Sequence, residues 1–226
     1  MIKLRPYQAK AKSDIYLHWE KGVRNVLTVL PTGAGKTVTF SEVVKEHVGA
    51  SCAVAHRQEL VCQISTALAK DGVKHKIIGP KSVIKLCVRS HMNELGRSFY
   101  DPMAQCAVAG IDTLVRREKE LKDWLQKVTL WVMDEAHHVL KCNKWGTGVV
   151  MFPNAKGLGV TATPIRADGK GLGDWNDGLF EAMIEGPTMR ELINMGYLTD
   201  YRIFAPPSDL DLTDVNITAS GELNAK

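Results

Sequence analysis

Short apolar runs recur along the 226-residue chain, and each is followed by a stretch with helical spacing. The runs are NVLTVL (25–30), SCAVAH (51–56), HKIIG (75–79), CAVAGI (106–111), TLWVMDEAHH (129–138) and AKGLGVTATP (155–164). Between them stand KTVTFSEVVKEHV, RQELVCQISTALAKDG and DTLVRREKELKDWLQK. A strand that is apolar at nearly every position must be buried on both faces. Strands alternating with helices then imply an α/β fold, a parallel β-sheet covered by helices on both faces. In such sheets the functional loops gather at the C-terminal ends of the strands.

Some stretches depart from this rhythm. Residues 80–105 are mixed and partly basic, with Lys81, Lys85, Arg89 and Arg97, and read as an inserted helix or a surface excursion. That insertion is either a plain surface helix or an element that touches nucleic acid. Residues 165–186 are glycine-rich and read as loop. TMRELINMGYL (188–198) reads as a helix ended by Gly196, and residues 200–208 as a strand leaving the domain. One domain over 1–207 is expected, with 208–226 a polar linker or the start of a further domain.

Composition sets wide bounds. The net charge of +4 permits a nucleic-acid partner without requiring one. The five cysteines, Cys52, Cys62, Cys87, Cys106 and Cys142, contain no C-x-x-C pair, which favours reduced thiols of a cytoplasmic protein over a zinc site or disulfide framework. The N-terminus has no apolar core of a signal peptide, and no apolar run approaches the roughly 20 residues that span a bilayer.

The most specific local feature is LPTGAGKT (30–37), between a strand and a helix. A triphosphate packs several negative charges into a small volume. Backbone N–H groups at a helix N-terminus can hold it, helped by the helix dipole. Gly33 and Gly35 let the chain curl closely, together with Thr32 and Ala34; Lys36 supplies an ammonium for the β- and γ-phosphates; Thr37 offers a hydroxyl to Mg²⁺. The general G-x-x-x-x-G-K-[ST] pattern has a glycine where this chain has Leu30, and Pro31-Thr32-Gly33 can make the same turn. The companion requirement is a metal-holding carboxylate. LWVMDEAH supplies Asp134 for Mg²⁺ and Glu135 to orient and deprotonate an attacking water. Adjacent carboxylates after a buried strand are costly unless a cation pairs with them.

PTGAGKT, DEAH and TATP, in that order, resemble the first, RecA-like motor domain of superfamily 2 helicases and translocases. LRPYQ (4–8) brings the likeness nearest to RadD-like proteins, type I restriction motor subunits and XPB-type helicases. The resemblance runs from Leu4 to about Pro207, and in this superfamily a loop without the first glycine is usual. It implies an ATP- and Mg²⁺-dependent motor on nucleic acid, DNA more than RNA, of bacterial or phage origin. It implies that Gln8 reads the adenine edge and that Arg5 stacks on the base. AHRQEL (55–60) resembles motif Ia, with Arg57 as a phosphate contact, although an arginine taken alone is more often a solvated surface charge. GIDTLVRR (110–117) resembles motif Ib, with Thr113 as a phosphate-binding hydroxyl; Arg116 and Arg117 fit that role or a plain basic face. TATP (161–164) resembles motif III, where Thr161 and Thr163 would link the nucleotide and nucleic-acid sites by hydroxyl bonds, with His137 as the second member. Arg166 would order its loop or meet another domain.

Such motors have a second RecA-like domain carrying a Q-x-x-G-R-x-x-R stretch with arginine fingers, and residues 165–226 contain no match. An arginine finger is worth about 10³–10⁵ in rate. The expectation is a chain that binds ATP and turns it over slowly on its own. A nucleotide-gated DNA-binding module without motor action is the alternative, and a small-molecule P-loop kinase explains the motif set poorly.

Overall fold

The computed structural model describes residues 3–166 and 169–204, and the backbone of 216–217 and 223–224. Seven strands, β1 (Asn25–Val29), β2 (Ala50–Ala55), β3 (Lys76–Ile78), β4 (Cys106–Gly110), β5 (Val128–Asp134), β6 (Lys156–Thr161) and β7 (Ala182–Glu185), form one sheet in the order β3-β4-β2-β5-β6-β1-β7. Every pairing in it is parallel.

Alternate residues of the strands inside the sheet enter opposite cores, as the pleat dictates. Val26, Ala53, Leu130, Val132 and Leu158 face one layer, built by α1 (Pro6–Glu20), α2 (Lys36–Glu46), α3 (Gln58–Lys70) and α4 (Lys81–Leu95). Leu27, Cys52, Val54, Trp131 and Met133 face the other, built by α5 (Ile111–Arg116), α6 (Glu118–Leu125) and α7 (Lys144–Val150). The Trp131 ring lies over Gly157 of the neighbouring strand, where any Cβ would collide with it. Burial of these aliphatic and aromatic side chains, about 25 cal/mol per Å² of apolar surface, is the main stabilising term.

Residues 80–105 are not an excursion from the sheet. α4 is the crossover between neighbours β3 and β4, and it buries Val83, Cys87 and His91 at i, i+4, i+8 spacing. Of the two readings, an inserted helix or a surface excursion, the helix is the one found; its buried stripe contains a cysteine and a histidine, so apolar counting alone does not show that it packs on the sheet. The stretch expected as one helix behind β4 is two, α5 and α6, which break at Arg117 (φ −99°, ψ 18°). Residues 165–186, expected as loop, contain edge strand β7. Only its Ile184 is buried, so no apolar run announces it. Residues 201–204, expected in a strand, form no regular element, and 205–208 lie outside the described residues. α8 (Met189–Asn194) starts at Thr188, whose hydroxyl accepts from Glu191 N–H, and Gly196 follows at φ +74°. Within 208–226, expected as a linker or the start of a further domain, Asn216–Ile217 pairs antiparallel with Leu223–Asn224. No helix among the described residues is long and apolar enough to cross a membrane.

Candidate nucleotide and nucleic-acid site

Sheet register brings three motifs to one edge. β5, β6 and β1 are neighbours; Val29 pairs with Thr161, and Asp134 with Val160. In a parallel sheet the chain leaves all three strands on the same side. Residues 31–35 follow β1, residues 135–138 follow β5, and Thr161 stands between them at the end of β6. Leu30 N–H donates to Thr161 O at 3.0 Å, fastening the loop to β6.

The loop itself is shaped by two left-handed glycines, Gly33 at φ +82° and Gly35 at φ +81°. Thr32 and Gly33 are exposed, while Ala34 is fully buried. Lys36 and Thr37 open α2, where helix geometry leaves the first N–H groups without intrahelical acceptors. Lys36 Nζ donates to Leu30 O at 3.4 Å, so the ammonium lies folded over the loop. This is a cradle of backbone donors and one cation, with a chemistry that fits a polyphosphate. Ala34 N–H is already spent on Pro31 O at 3.1 Å.

Gln8 and Arg5 sit beneath the loop and are engaged by the chain itself. Gln8 is 3% exposed; its Nε2 donates to Ala34 O at 2.9 Å, and its Oε1 accepts from Arg5 N–H at 2.8 Å. Tyr7 OH donates to the same Ala34 carbonyl at 2.8 Å. A Cβ on Gly35 would collide with Gln8 Nε2, so the glycine and the glutamine fit each other. The Arg5 guanidinium lies over the Tyr197 ring at 4.8 Å. In this arrangement Gln8 fastens the loop, and both its amide ends are occupied.

Asp134 closes β5 and is 7% exposed, accepting Glu135 N–H on Oδ1 at 3.0 Å. Burial pushes its carboxyl above the ordinary value, and Glu135's charge adds to this; the Glu135 amide, Lys36 and His137 oppose it. Its carboxylate oxygens are hard ligands of the kind a divalent cation takes, and the Thr37 hydroxyl at the start of α2 is another. Glu135 adopts a left-handed φ of 52°, a conformation costing a non-glycine residue about 1–3 kcal/mol and commonest at functional turns.

His137 joins this turn to β6. Its Nδ1 lies 3.3 Å from Glu135 Oε2 and 3.1 Å from Thr161 Oγ1. Thr161 O–H donates to Thr163 O at 3.0 Å, so its oxygen is left to accept, from Thr163 N–H at 3.1 Å and from His137 Nδ1–H. Thr161 thus links by its hydroxyl, whereas Thr163 takes part through its main chain.

The expected nucleic-acid residues meet in a separate cavity of about 220 Å³, where Arg57, at the start of α3, and Thr113, in α5, line the wall with Gly79, Pro80 and Arg116. Arg117 faces elsewhere and pairs with Glu120 at 2.8 Å. Arg166 donates to Asn176 O at 2.8 Å, within its own loop. Sequence reasoning passed over His56, His138 and Trp145, which pack ring against ring, His56 and His138 lining a cavity with Glu135. The doubled histidine after DEA was the one visible signal.

A family model described as type III restriction enzyme, res subunit (ResIII), matches residues 1–166. The chain belongs to this family. The ResIII chain is 28% identical over 240 residues to the putative mitochondrial ATP-dependent helicase irc3 of Schizosaccharomyces pombe, covering 98% of this chain and 37% of that protein. It is 31% identical over 170 residues to the DNA 3'-5' translocase XPB2 of Sulfurisphaera tokodaii, covering 75% and 33%. It spans about a third of the length of the curated relatives it matches. The Type ISP restriction-modification enzyme LlaGI, solved with a DNA substrate mimic, shares the fold at a TM-score of 0.61 and 15% identity, over 87% of this chain and 21% of that one. Family match, parallel fold and motif order agree with the likeness to the RecA-like first motor domain of superfamily 2 helicases.

Proposed function

We propose that this chain is the ATP-binding half of a DNA helicase or translocase, in which ATP hydrolysis is coupled to movement along the strand. One observation carries the reading: His137 Nδ1 stands between Glu135 and Thr161, and Thr161 O holds Leu30 at the root of the glycine loop. Phosphate loop and acidic turn are therefore braced against each other through one residue of β6.

In this reading Lys36 and the N–H groups of residues 33 and 35–37 hold the β- and γ-phosphates. Thr37 and Asp134 suit Mg²⁺, which when bound would neutralise charge on the phosphates. Glu135 orients a water and takes its proton as the water oxygen bonds to the γ-phosphorus and the bond to the ADP oxygen breaks. His137 holds Glu135 in place. Arg5 and Gln8 lie at the base side of the loop; reading an adenine edge there would exchange the bonds to Ala34 and Arg5 for bonds to the base. Arg57, Thr113 and Arg116 would hold strand phosphates, giving salt-sensitive and weakly sequence-dependent binding. DNA is favoured over RNA by the translocase among the relatives and by the DNA complex of a fold neighbour. A second RecA-like domain would supply arginine to the γ-phosphate, and this chain by itself would turn ATP over slowly.

The test is ATP turnover by this protein with and without single-stranded DNA, alone and mixed with a second RecA-like domain. The reading predicts slow basal turnover that rises with DNA once the second domain is present. Turnover indifferent to any nucleic acid would point instead to a small-molecule phosphotransferase. DNA affinity altered by ATP, with no turnover even when both domains are present, would point to a nucleotide-gated binding module.

A further inference from the structure

Beside the acidic turn, three imidazoles and an indole pack in a row. His137 and His138 have ring centroids 4.1 Å apart; His138 stacks on Trp145 at 5.4 Å with planes 18° apart; His56 meets His138 edge-on at 5.2 Å and Trp145 at 5.7 Å. His56 follows β2 directly and precedes Arg57, so it belongs to the strand-binding edge. His138 belongs to the catalytic turn, because its N–H donates to Glu135 O at 3.1 Å. Its carbonyl accepts from Asn143 Nδ2 at 2.7 Å, and Asn143 Oδ1 accepts from Trp145 N–H at 2.9 Å. Asn143 therefore fixes Trp145 and His138 relative to each other. One open cavity of about 470 Å³ is lined by Arg57 and His56 from the strand-binding edge and by Glu135, His137 and His138 from the acidic turn.

We infer that His138, held between Trp145 and His56, is a positioning residue that transmits occupancy of the strand-binding edge at Arg57 to Glu135. This rests on the function proposed above. A strand phosphate that moves Arg57 also moves His56, one residue away. Ring contact passes the displacement to His138, whose main chain holds Glu135. The contact is one of uncharged rings: burial, with His137 and His56 alongside, pushes His138 down to about 4, and burial and Arg57 hold His56 below its ordinary value. His56 Nδ1 is buried without a partner among the described residues, so this ring is set by packing. The row is no metal site: among the described residues no three His, Cys, Asp or Glu side chains are placed to hold an ion.

The experiment measures single-stranded DNA affinity with and without a non-hydrolysable ATP analogue, together with each ligand's separate affinity and the melting temperature. The variants are His138→Leu, which removes the stacked ring, and His138→Phe, which keeps one. Allosteric ratios are typically about 5–150-fold. Wild type should show such a ratio. His138→Leu should bring it to about one while both separate affinities and the melting temperature hold, and His138→Phe should retain it. A residue that merely supports the fold would lower the melting temperature and both affinities, leaving the ratio. Should His138→Leu not fold, His56→Leu removes the other half of the contact and must give the same loss. An unchanged ratio in the folded leucine variant, or equal loss in leucine and phenylalanine variants, overturns the inference. Failure of the wild type to bind ATP or DNA would sink the functional reading instead.

Discussion

Two groups of histidines in this domain are built on opposite plans. His75 and His91 lie wholly buried under α3 and α4, and their hydrogen bonds form a closed series. Phe99 N–H donates to His91 Nδ1 at 3.3 Å; His91 Nε2–H meets Ser65 Oγ at 3.0 Å; Ser65 O–H meets His75 Nε2 at 2.7 Å; His75 Nδ1–H reaches Val73 O at 2.9 Å. Every ring nitrogen is used, and the direction of each bond is fixed by its neighbour. His56, His137 and His138 instead line an open cavity, and His56 Nδ1 has no partner among the described residues. The first group is what folding makes of buried polar groups when nothing else must use them. The second keeps capacity in reserve next to a strained glutamate, which is where chemistry is expected.

The contrast predicts that damage to the open group costs activity and damage to the closed group costs stability. The largest effect falls on Glu135→Gln. Nucleotide binding should persist while hydrolysis, measured with the second domain present, drops about 10²–10⁴-fold, the usual worth of a general base. Next comes Ser65→Ala, which leaves both imidazole Nε2 atoms without their partner. It should cost about 1–3 kcal/mol in urea unfolding and leave nucleotide affinity unchanged. Equal loss of affinity would erase the distinction between the two groups.

Acid should act on the closed group in the same way. Burial pushes His75 down to about 4 in the folded state, while His91 is also held low by burial. The unfolded chain therefore binds these protons first. The stability involved is intact above the unfolded value of about 6.5 and is lost as pH falls toward about 4. The unfolding free energy from urea titration should drop between pH 7 and pH 5, by about 2 kcal/mol for His75, and Ser65→Ala should change that dependence. The smallest effect is at the nucleic-acid edge. Arg57→Ala should weaken DNA binding severalfold and lower its salt dependence by about one phosphate contact, with no change in melting temperature.

The sequence made the sheet and the phosphate loop legible because both depend on local pattern. Strands buried on two faces are continuous apolar runs, and GAGKT needs its glycines in the left-handed region that Gly33 and Gly35 occupy. What escaped depends on neighbours far along the chain. β7 has one buried residue and exists because β1 offers an open edge. α4 hides its stripe behind Cys87 and His91, which are core residues only because Ser65 and Cys62 face them across α3. Gln8 and Arg5 stood out by motif, yet the bond of Gln8 to Ala34 and the packing of Arg5 on Tyr197 join segments far apart along the chain. His138 gave no signal of its own beyond standing beside His137, since its meaning lies in a contact with residue 56.

The most direct measurement is ATP binding to the wild-type protein and to Lys36→Ala by titration calorimetry in the presence of Mg²⁺. Removing the ammonium folded over the loop should weaken a saturable, single-site affinity by at least about tenfold, or about 1.4 kcal/mol. Equal affinity in the two proteins, or no saturable binding to the wild type, would contradict the assignment of residues 30–37 as a nucleotide loop, and with it the motor.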